Sequence, residues 1–268
     1  MPTFRATLDA RTSAVGHYLC VGLDPDVQKL PSHFPPSADG ILAFNRDIIN
    51  ATADIAACYK PNFAFYEALG PRGMEALLQT IASIPPEIPV IGDAKRGDIG
   101  NSSEGYARAA FEVYGCGAVT VNPYQGEDAV TPFLQYADRT TFLLARTSNI
   151  GSHDFQDALV GDEPLYMRVV RRSQQWMHAD RIGYVVGANQ TNELRVVRQA
   201  APHAVLLVPA VGAQGGDARA AVTHGVAAGG GGLVVSVSRA ILYASSGRDF
   251  AQAAREAARF YAEALRAI

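Results

Sequence analysis

Cysteine, long apolar runs and an excess of charge are all scarce in this sequence, and each scarcity excludes a class of protein. Only three cysteines occur in 268 residues, none of them in a CxxC pair, which excludes a disulfide framework. No apolar stretch approaches the ~20 residues of a membrane span, and the first residues do not have the pattern of a signal peptide. The sequence therefore predicts a soluble protein of a reducing cytoplasm, in which the cysteines are small core residues.

The charges are nearly balanced and the histidines are scattered. With 23 basic against 26 acidic side chains, the formal charge of -3 gives no bulk attraction to nucleic acid or to anionic lipid. The six histidines show neither HxH nor HExxH spacing, which argues against a histidine metal site. Any anion binding must therefore be local.

What the sequence does contain is an apolar fraction of 48%, arranged in short runs with helical patterns between them. Runs such as FLLA, VLLV and LVVSV are apolar at consecutive positions, as expected for strands buried on both faces of a parallel sheet. The predicted strands are residues 18–24, 57–62, 90–95, 118–123, 141–147, 183–189, 205–211 and 233–238. Eight such units in a chain of this length favour an α/β fold, a single (β/α)8 TIM barrel, over an open doubly wound sheet.

Helical periodicity fills several of the segments between the strands. Apolar side chains three or four positions apart mark residues 44–55, 74–81, 165–170, 194–197 and 250–265. We predict one domain over residues 1–268, with an N-terminal extension at 1–16 and long loops at 25–40 and 148–163. We hypothesise that the two loops cover the top of the barrel.

The segment IGDAKRGDI, residues 91–99, carries the strongest functional signal. In an extended strand Asp93 and Lys95 point to the same face, here the interior near the top of the barrel, where barrel enzymes place their chemistry. Asp24 ends strand one and Lys60 lies within strand two, so four charges are predicted to alternate in sign around one rim. Buried charges are costly unless they are paired, so the alternatives are a structural ion network or a catalytic site.

Such a cluster suits loss of carbon dioxide followed by protonation at carbon. A lysine ammonium beside a carboxylate keeps its charge, so it can donate a proton and stabilise a carbanion, whereas a Schiff-base lysine must be neutral. The carboxylates would also repel a substrate carboxylate. As an alternative, Asp93 and Asp98 could hold magnesium.

Two loops predict a phosphate site. The chain has PAVGAQGGD at residues 209–217, after strand seven, and SVSR at residues 236–239, after strand eight. Phosphate sites of barrels are commonly built from these two loops, where glycines expose backbone N–H groups and Arg239 can donate two parallel hydrogen bonds. The glycine run 229–232 precedes strand eight, so it is predicted to be a turn at the opposite face.

Taken together, these motifs resemble the orotidine 5'-monophosphate decarboxylase family. The spacing DxKxxDI at residues 93–99, with Lys60 upstream and GAQGG and SR downstream, is similar to the longer bacterial branch of that family. The segments VGLDPD, YKPNFAFYE, VNPYQGED and RTSN extend the resemblance from Asp24 to Arg239. It implies conversion of orotidylate to uridylate and carbon dioxide in de novo pyrimidine synthesis, without a metal or organic cofactor.

The resemblance also implies roles for the four charged residues. Lys95 would protonate C6 of the pyrimidine. Asp93 would face the departing carboxylate and hold Lys95. Asp24 and Lys60 would bind ribose hydroxyls and complete the charge array.

Further implied roles concern a partner subunit and the two ends of the ligand. In a homodimer, Asp98 and Ile99 would reach into the other subunit's site, Asp98 towards ribose. Ser102 would bind near the carboxylate or ribose, and Ser148 would bind the amide edge of the pyrimidine. The phosphate would be held by Gln214, Gly215, Ser238 and Arg239.

Two features depart from the family pattern, and two other functions stay open. The strand-six loop is GANQT, residues 187–191, where Thr and Pro would follow Gly–Ala, and glycines 229–232 stand where a charged residue is usual. The first alternative function is a magnesium-dependent sugar-phosphate decarboxylase or epimerase of the same superfamily, against which Lys60 and the RTSN loop argue. The second is a non-catalytic phosphate-ligand barrel, which has no need of four alternating charges.

Overall fold

A computed structural model, which describes residues 2–209 and 217–267, shows eight parallel strands around a common interior. They are β1 (Leu19–Leu23), β2 (Cys58–Pro61), β3 (Ile91–Arg96), β4 (Ala118–Val121), β5 (Thr140–Arg146), β6 (Ile182–Val186), β7 (Leu206–Pro209) and β8 (Leu233–Val237). The hydrogen-bonded order is β2-β1-β8-β7-β6-β5-β4-β3, and single bridges Tyr59–Val90 and Asn62–Asp93 join β2 to β3. The predicted barrel is confirmed, and each predicted strand overlaps an observed one.

Helices surround the strands. They are α1 (Phe4–Val15), α2 (Ala38–Thr52), α3 (Ala64–Glu67), α4 (Gly70–Ala82), α5 (Gly100–Arg108), α6 (Glu127–Leu134), α7 (Leu165–Ser173), α8 (Thr191–Ala200), α9 (Ala218–Gly225), α10 (Arg239–Leu242) and α11 (Phe250–Ala264). The five predicted helical patterns are all present, whereas α5, with the polar sequence GNSSEGYAR, lacks the apolar periodicity that would have predicted it. In the part of the chain that the structure describes, no helix is long and apolar enough to cross a membrane.

The two predicted loops contain short elements. These are 3-10 turns at Val27–Lys29 and Ile150–Asp154 and a hairpin of Leu159–Val160 with Glu163–Pro164. In loop 25–40, Phe34 packs edge-to-face on Phe250 of α11 with ring centroids 5.3 Å apart, and α2 begins inside the predicted loop at Ala38. This loop is therefore packed against the helical layer.

The barrel interior has an apolar lower layer and a polar upper layer. The lower layer includes Cys20, Cys58, Ile91, Ala118, Phe142, Leu207 and Val234. Two positions further along three adjacent strands, the buried residues are Lys60, Asp93 and Thr120. All three cysteines are unpaired and buried, which confirms them as core residues. This layering places polar chemistry at the carboxyl ends of the strands.

Helix α1 closes the opposite end of the barrel. Thr3 accepts a hydrogen bond from the Ala6 N–H at 3.1 Å, which caps the helix start, and Phe4 and Leu8 pack into the apolar lower layer. The ring of Phe4 meets Phe142 edge-to-face at 6.1 Å between centroids. The segment predicted as an N-terminal extension is therefore part of the core.

Replacing Phe4 with alanine is expected to lower the free energy of unfolding by about 3–5 kcal/mol, because it leaves a cavity in the barrel floor. Urea unfolding of the variant and the parent protein would measure the difference. The matched control is Phe260→Ala in α11, where the side chain is 69% exposed and the expected change is within about 0.5 kcal/mol. Equal effects of the two substitutions would contradict a core role for α1.

The glycine run 229–232 lies at this same floor, as predicted. All four glycines have φ between 65° and 92°, a left-handed conformation that other residues rarely adopt. The Gly232 N–H donates to the Asp9 carboxylate of α1 at 3.1 Å, and a Cβ at Gly231 would lie 2.5 Å from that carboxylate. Backbone conformation and close approach to α1 explain why glycine occupies these positions.

Candidate active site

Four charged side chains meet at the carboxyl ends of β1, β2 and β3. Lys60 Nζ lies 2.9 Å from Asp93 Oδ2 and 3.6 Å from Asp24 Oδ1, and Lys95 Nζ lies 2.6 Å from Asp93 Oδ1. The charges therefore alternate along a row in the order Asp24, Lys60, Asp93, Lys95. The Lys60 side chain is 6% exposed and that of Lys95 is 49% exposed, so the row leads from the interior to the mouth of the barrel.

Pairing outweighs burial in setting the charges of this row. Burial alone would lower the pKa of Lys60, but the carboxylates of Asp24 and Asp93 raise it above its ordinary value. Burial alone would raise the pKa of Asp93, but the ammonium groups of Lys60 and Lys95 hold it well below its ordinary value. Lys60 and Asp93 are therefore both charged at neutral pH. The attraction between the two charges offsets the desolvation cost of burying each of them.

Lys95 reaches Asp93 through a bulge and not through the regular strand alternation that the sequence predicted. The pairing register between β3 and β4 shifts between Gly92 and Arg96, and Lys95 has a φ of 47°. Such a conformation costs a non-glycine residue about 1–2 kcal/mol, and outliers of this kind cluster at functional sites. The Thr120 hydroxyl of β4 accepts a hydrogen bond from the Lys95 backbone N–H at 2.9 Å. The sequence analysis did not include Thr120 among the site residues, although a polar side chain within the buried strand AVTV indicates a hydrogen-bonding role.

Several predicted site residues lie apart from the charged row. The Asp98 carboxylate accepts the Ile99 N–H at 2.8 Å and forms no ion pair within residues 2–209 and 217–267. The Ile99 side chain is 56% exposed, and Ser102 is exposed on α5. Gln214 and Gly215 lie outside the described residues.

At the end of β8 the chain brings Ser238 and Arg239 to the same rim. Arg239 is exposed at the start of α10, and Ser238 packs so closely on β1 that a Cβ at Gly22 would lie 2.7 Å from the Ser238 Cβ. Buried Ser238 Oγ and Asp24 Oδ1 have no hydrogen-bond partner in the described part of the chain. Because buried polar atoms are normally satisfied, two such atoms on adjacent strands suit a polar ligand.

Ser148 follows β5 in a loop that a buried arginine holds in place. Arg146 is 1% exposed, donates to Asp157 Oδ2 at 3.0 Å and also contacts the Ser152 hydroxyl. From the strand-six loop, the Asn189 side chain donates to the Ser148 carbonyl at 3.2 Å. Asn189, one of the residues in GANQT that differ from the family pattern, therefore holds the backbone of Ser148, the residue predicted to contact the pyrimidine.

For Asp93, the magnesium alternative would require a cation to compete with two lysine ammonium groups. That alternative needs free carboxylate oxygens on Asp93 and Asp98, but both oxygens of Asp93 accept hydrogen bonds from lysine ammonium groups. Among the described residues, no group of three or more His, Cys, Asp or Glu side chains could hold a metal ion. The arrangement instead presents a fixed cation beside a carboxylate, which suits stabilisation and protonation of a carbanion.

Comparisons with known proteins show which family this chain resembles. The sequence matches the Orotidine 5'-phosphate decarboxylase / HUMPS family over residues 17–257. It is 48% identical to the orotidine 5'-phosphate decarboxylase of Herpetosiphon aurantiacus, covering 97% of this chain and 96% of that protein. It is 47% identical to the protein of the same name from Thermomicrobium roseum, covering 96% and 92%. The solved OMP decarboxylase of Leishmania donovani has a TM-score of 0.84 at 36% identity, covering 97% and 99% of the two chains.

Proposed function

This chain belongs to the Orotidine 5'-phosphate decarboxylase / HUMPS family, and we propose that it is a carboxy-lyase that converts orotidine 5'-monophosphate to uridine 5'-monophosphate and carbon dioxide. The observation that carries the proposal is the alternating row of Asp24, Lys60, Asp93 and Lys95 at the rim of the barrel. The reaction belongs to de novo pyrimidine synthesis, and we propose the cytoplasm as its location.

Lys95 is the proposed proton donor. The bond between C6 and the carboxylate carbon breaks, carbon dioxide leaves, and the electron pair stays on C6. The Lys95 ammonium then donates a proton to C6, and the amine regains a proton from solvent through a side chain that is 49% exposed. Enzymes lower barriers by about 8–23 kcal/mol, and fixed charge at the developing carbanion is the largest contribution available here.

Asp93 has two proposed tasks. Its carboxylate binds Lys95 at 2.6 Å and Lys60 at 2.9 Å, which keeps the two ammonium groups at fixed positions before the substrate arrives. It would also face the substrate carboxylate, whose repulsion is relieved when carbon dioxide leaves. We rank repulsion second, because the fixed ammonium charge acts directly on the developing carbanion and is the largest contribution available.

The remaining roles are proposals for substrate binding. Asp24 and Lys60 would bind ribose hydroxyls, which fits the Asp24 Oδ1 atom, since it is ion-paired at 3.6 Å but has no hydrogen-bond partner among the described residues. Ser148 would bind the amide edge of the pyrimidine, and Ser102 would bind near the carboxylate or ribose. The phosphate would be held by Gln214, Gly215, Ser238 and Arg239. Binding of the remote phosphate would contribute to transition-state stabilisation at C6.

We propose a homodimer in which Asp98 and Ile99 complete the partner's site. The support is that Asp98 has no ion pair in the described part of its own chain and that Ile99 is 56% exposed beside it. Exposed aromatic side chains also follow the strands β2 and β4, which flank β3, including Phe65 at 37% and Tyr124 at 85%. Exposed apolar side chains at the ends of neighbouring strands, together with a carboxylate that has no ion pair among the described residues, suit contact with a second copy of the chain.

Co-expressed Asp98→Ala and Lys95→Ala chains test the shared site. Each variant alone is expected to be inactive or severely impaired. A mixed dimer has one site with both defects and one intact site, so random pairing should restore about a quarter of the wild-type activity. Size-exclusion chromatography of each variant checks that it still dimerises. Failure of the mixture to recover activity would place Asp98 in the same site as Lys95 of its own chain.

The proposed activity is tested by the ultraviolet absorbance of orotidine 5'-monophosphate incubated with the purified protein, with and without EDTA. Loss of substrate absorbance at a rate that EDTA does not change is the expected result. Loss that EDTA abolishes would overturn the metal-free mechanism. Unchanged absorbance would overturn the substrate assignment. Assays with sugar phosphates and magnesium would then separate the metal-dependent alternative from binding without turnover.

A further inference from the structure

Thr120 lies directly behind the proposed catalytic pair. It is on β4, is 1% exposed, and its hydroxyl makes two hydrogen bonds within the polar upper layer. The hydroxyl donates to Asp93 Oδ1 at 2.9 Å and accepts from the Lys95 backbone N–H at 2.9 Å. One side chain is therefore bonded to both members of the pair.

The backbone explains why a side chain is needed at this point. Regular pairing of β3 with β4 is interrupted between Gly92 and Arg96, so the Lys95 N–H bonds to a hydroxyl and not to a ladder carbonyl. Lys95 adopts a φ of 47°, which is unfavourable for a lysine and needs support from its surroundings. The Thr120 hydroxyl supplies that support at the bulge.

The same hydroxyl also completes the bonding of the Asp93 carboxylate. Oδ1 accepts from Thr120 and from Lys95 Nζ, while Oδ2 accepts from Lys60 Nζ. A carboxylate with three donors on two oxygens has little freedom to rotate. Its orientation sets the position of the Lys95 ammonium, which lies 2.6 Å away.

We propose that Thr120 is a positioning residue for the decarboxylation, acting through the Lys95 backbone and the Asp93 carboxylate. This inference rests on the proposed function and adds a residue that touches neither substrate nor the transferred proton. A valine at this position keeps the shape of the side chain and removes both hydrogen bonds. A serine keeps both hydrogen bonds and removes only a methyl group.

The test compares kcat and KM for orotidine 5'-monophosphate in Thr120→Val, Thr120→Ser and the parent protein. We expect Thr120→Val to lower kcat by about 10- to 100-fold, as for a lost hydrogen bond to a charged group, with KM within about threefold. Thr120→Ser is expected to retain kcat within about fivefold, because both hydrogen bonds are kept. If the valine variant misfolds, Thr120→Ala, which adds no bulk, is measured in its place.

The matched control is Thr52→Val in α2. Thr52 is fully buried, and its hydroxyl lies 2.7 Å from the Ile48 carbonyl and 2.7 Å from the Tyr59 hydroxyl. Thr52→Val should lower the urea midpoint about as much as Thr120→Val, because the two threonines are equally buried. It should leave kcat within about twofold, because Thr52 makes no contact with the charged row.

Three results would overturn the role of Thr120: kcat of Thr120→Val within twofold of the parent, a loss that serine does not recover, or an equal loss in Thr52→Val. A parent protein that does not consume orotidine 5'-monophosphate would instead overturn the proposed function. The two failures are therefore distinguished by the activity of the unmodified chain.

Discussion

Lys95→Ala is expected to abolish decarboxylation, with kcat at least about 10⁴-fold below that of the parent, because it removes the proposed proton donor and the fixed charge proposed to act at C6. Binding of uridine 5'-monophosphate should stay within about tenfold, because the proposed phosphate-binding residues follow β7 and β8 and do not include Lys95. Steady-state kinetics and calorimetric titration would measure the two quantities. Retention of even a tenth of the parent activity would show that Lys95 is not the proton donor.

Arg239→Ala provides the contrasting control for Lys95→Ala. Arg239 is exposed at the start of α10, after β8, whereas the charged row lies at the ends of β1, β2 and β3. Its loss should weaken binding by about 1.5–3 kcal/mol, as for a charge-assisted hydrogen bond to phosphate. A change confined to the chemical step, with affinity intact, would contradict a phosphate-binding role.

Asp93→Asn is expected to lower kcat by about 10³-fold or more, because an uncharged amide no longer holds two ammonium groups in place. Lys60 would keep only the longer contact of 3.6 Å to Asp24, and Lys95 would lose its 2.6 Å ion pair. The variant should also be less stable at neutral pH, because a buried lysine would be left with poorer pairing. Kinetics and urea unfolding would measure both effects, and a kcat within tenfold of the parent would contradict the proposed role.

The stability difference between the parent and Asp93→Asn should depend on pH. The folded-state pKa of Asp93 lies below its ordinary value. Its stabilising contribution is therefore complete above the unfolded pKa of about 3.9 and is lost as the pH falls towards the folded pKa. The difference in urea midpoint should stay constant from about pH 5 to pH 8 and should narrow below about pH 4. A difference that widens in acid would contradict the sign of this linkage.

Asp54→Asn is the matched control for Asp93→Asn. Asp54 also forms an ion pair, with Arg255 at 2.6 Å, but its side chain is 62% exposed. Pairs in solvent contribute little, so this variant should change stability by at most about 1 kcal/mol. Its kcat should match that of the parent.

Much of this protein was predictable because burial and chain order constrain it strongly. Consecutive apolar residues in runs such as LVVSV indicate strands covered on both faces, and such strands form a barrel when eight alternate with helices. Parallel strands that follow one another in sequence also tend to be neighbours in space. Charges at the ends of the first three strands, including Lys60 and Asp93, were therefore expected to meet, and they do.

Other features could not be predicted because they depend on contacts between distant segments. The Phe4 side chain lies in the barrel floor, where it packs on Phe142 and other residues of distant strands. Asn189 supports Ser148 only because the β5 and β6 loops lie side by side. Nothing local in MPTFRATLDA or GANQT indicates either contact, since neighbours in sequence do not supply the partner.

The sequence by itself determined which charged residues occupy the rim, because strand alternation and chain order decide the face and the end at which a side chain lies. Only the tertiary structure decided which atoms meet. Lys95 contacts Asp93 through a bulge with a φ of 47°, and Thr120 secures that bulge from the next strand. The physical reason is that the distance between two side chains depends on strand register and on backbone dihedral angles. Hydrogen bonds between strands fix both as the sheet forms, and the sequence of one strand does not specify them.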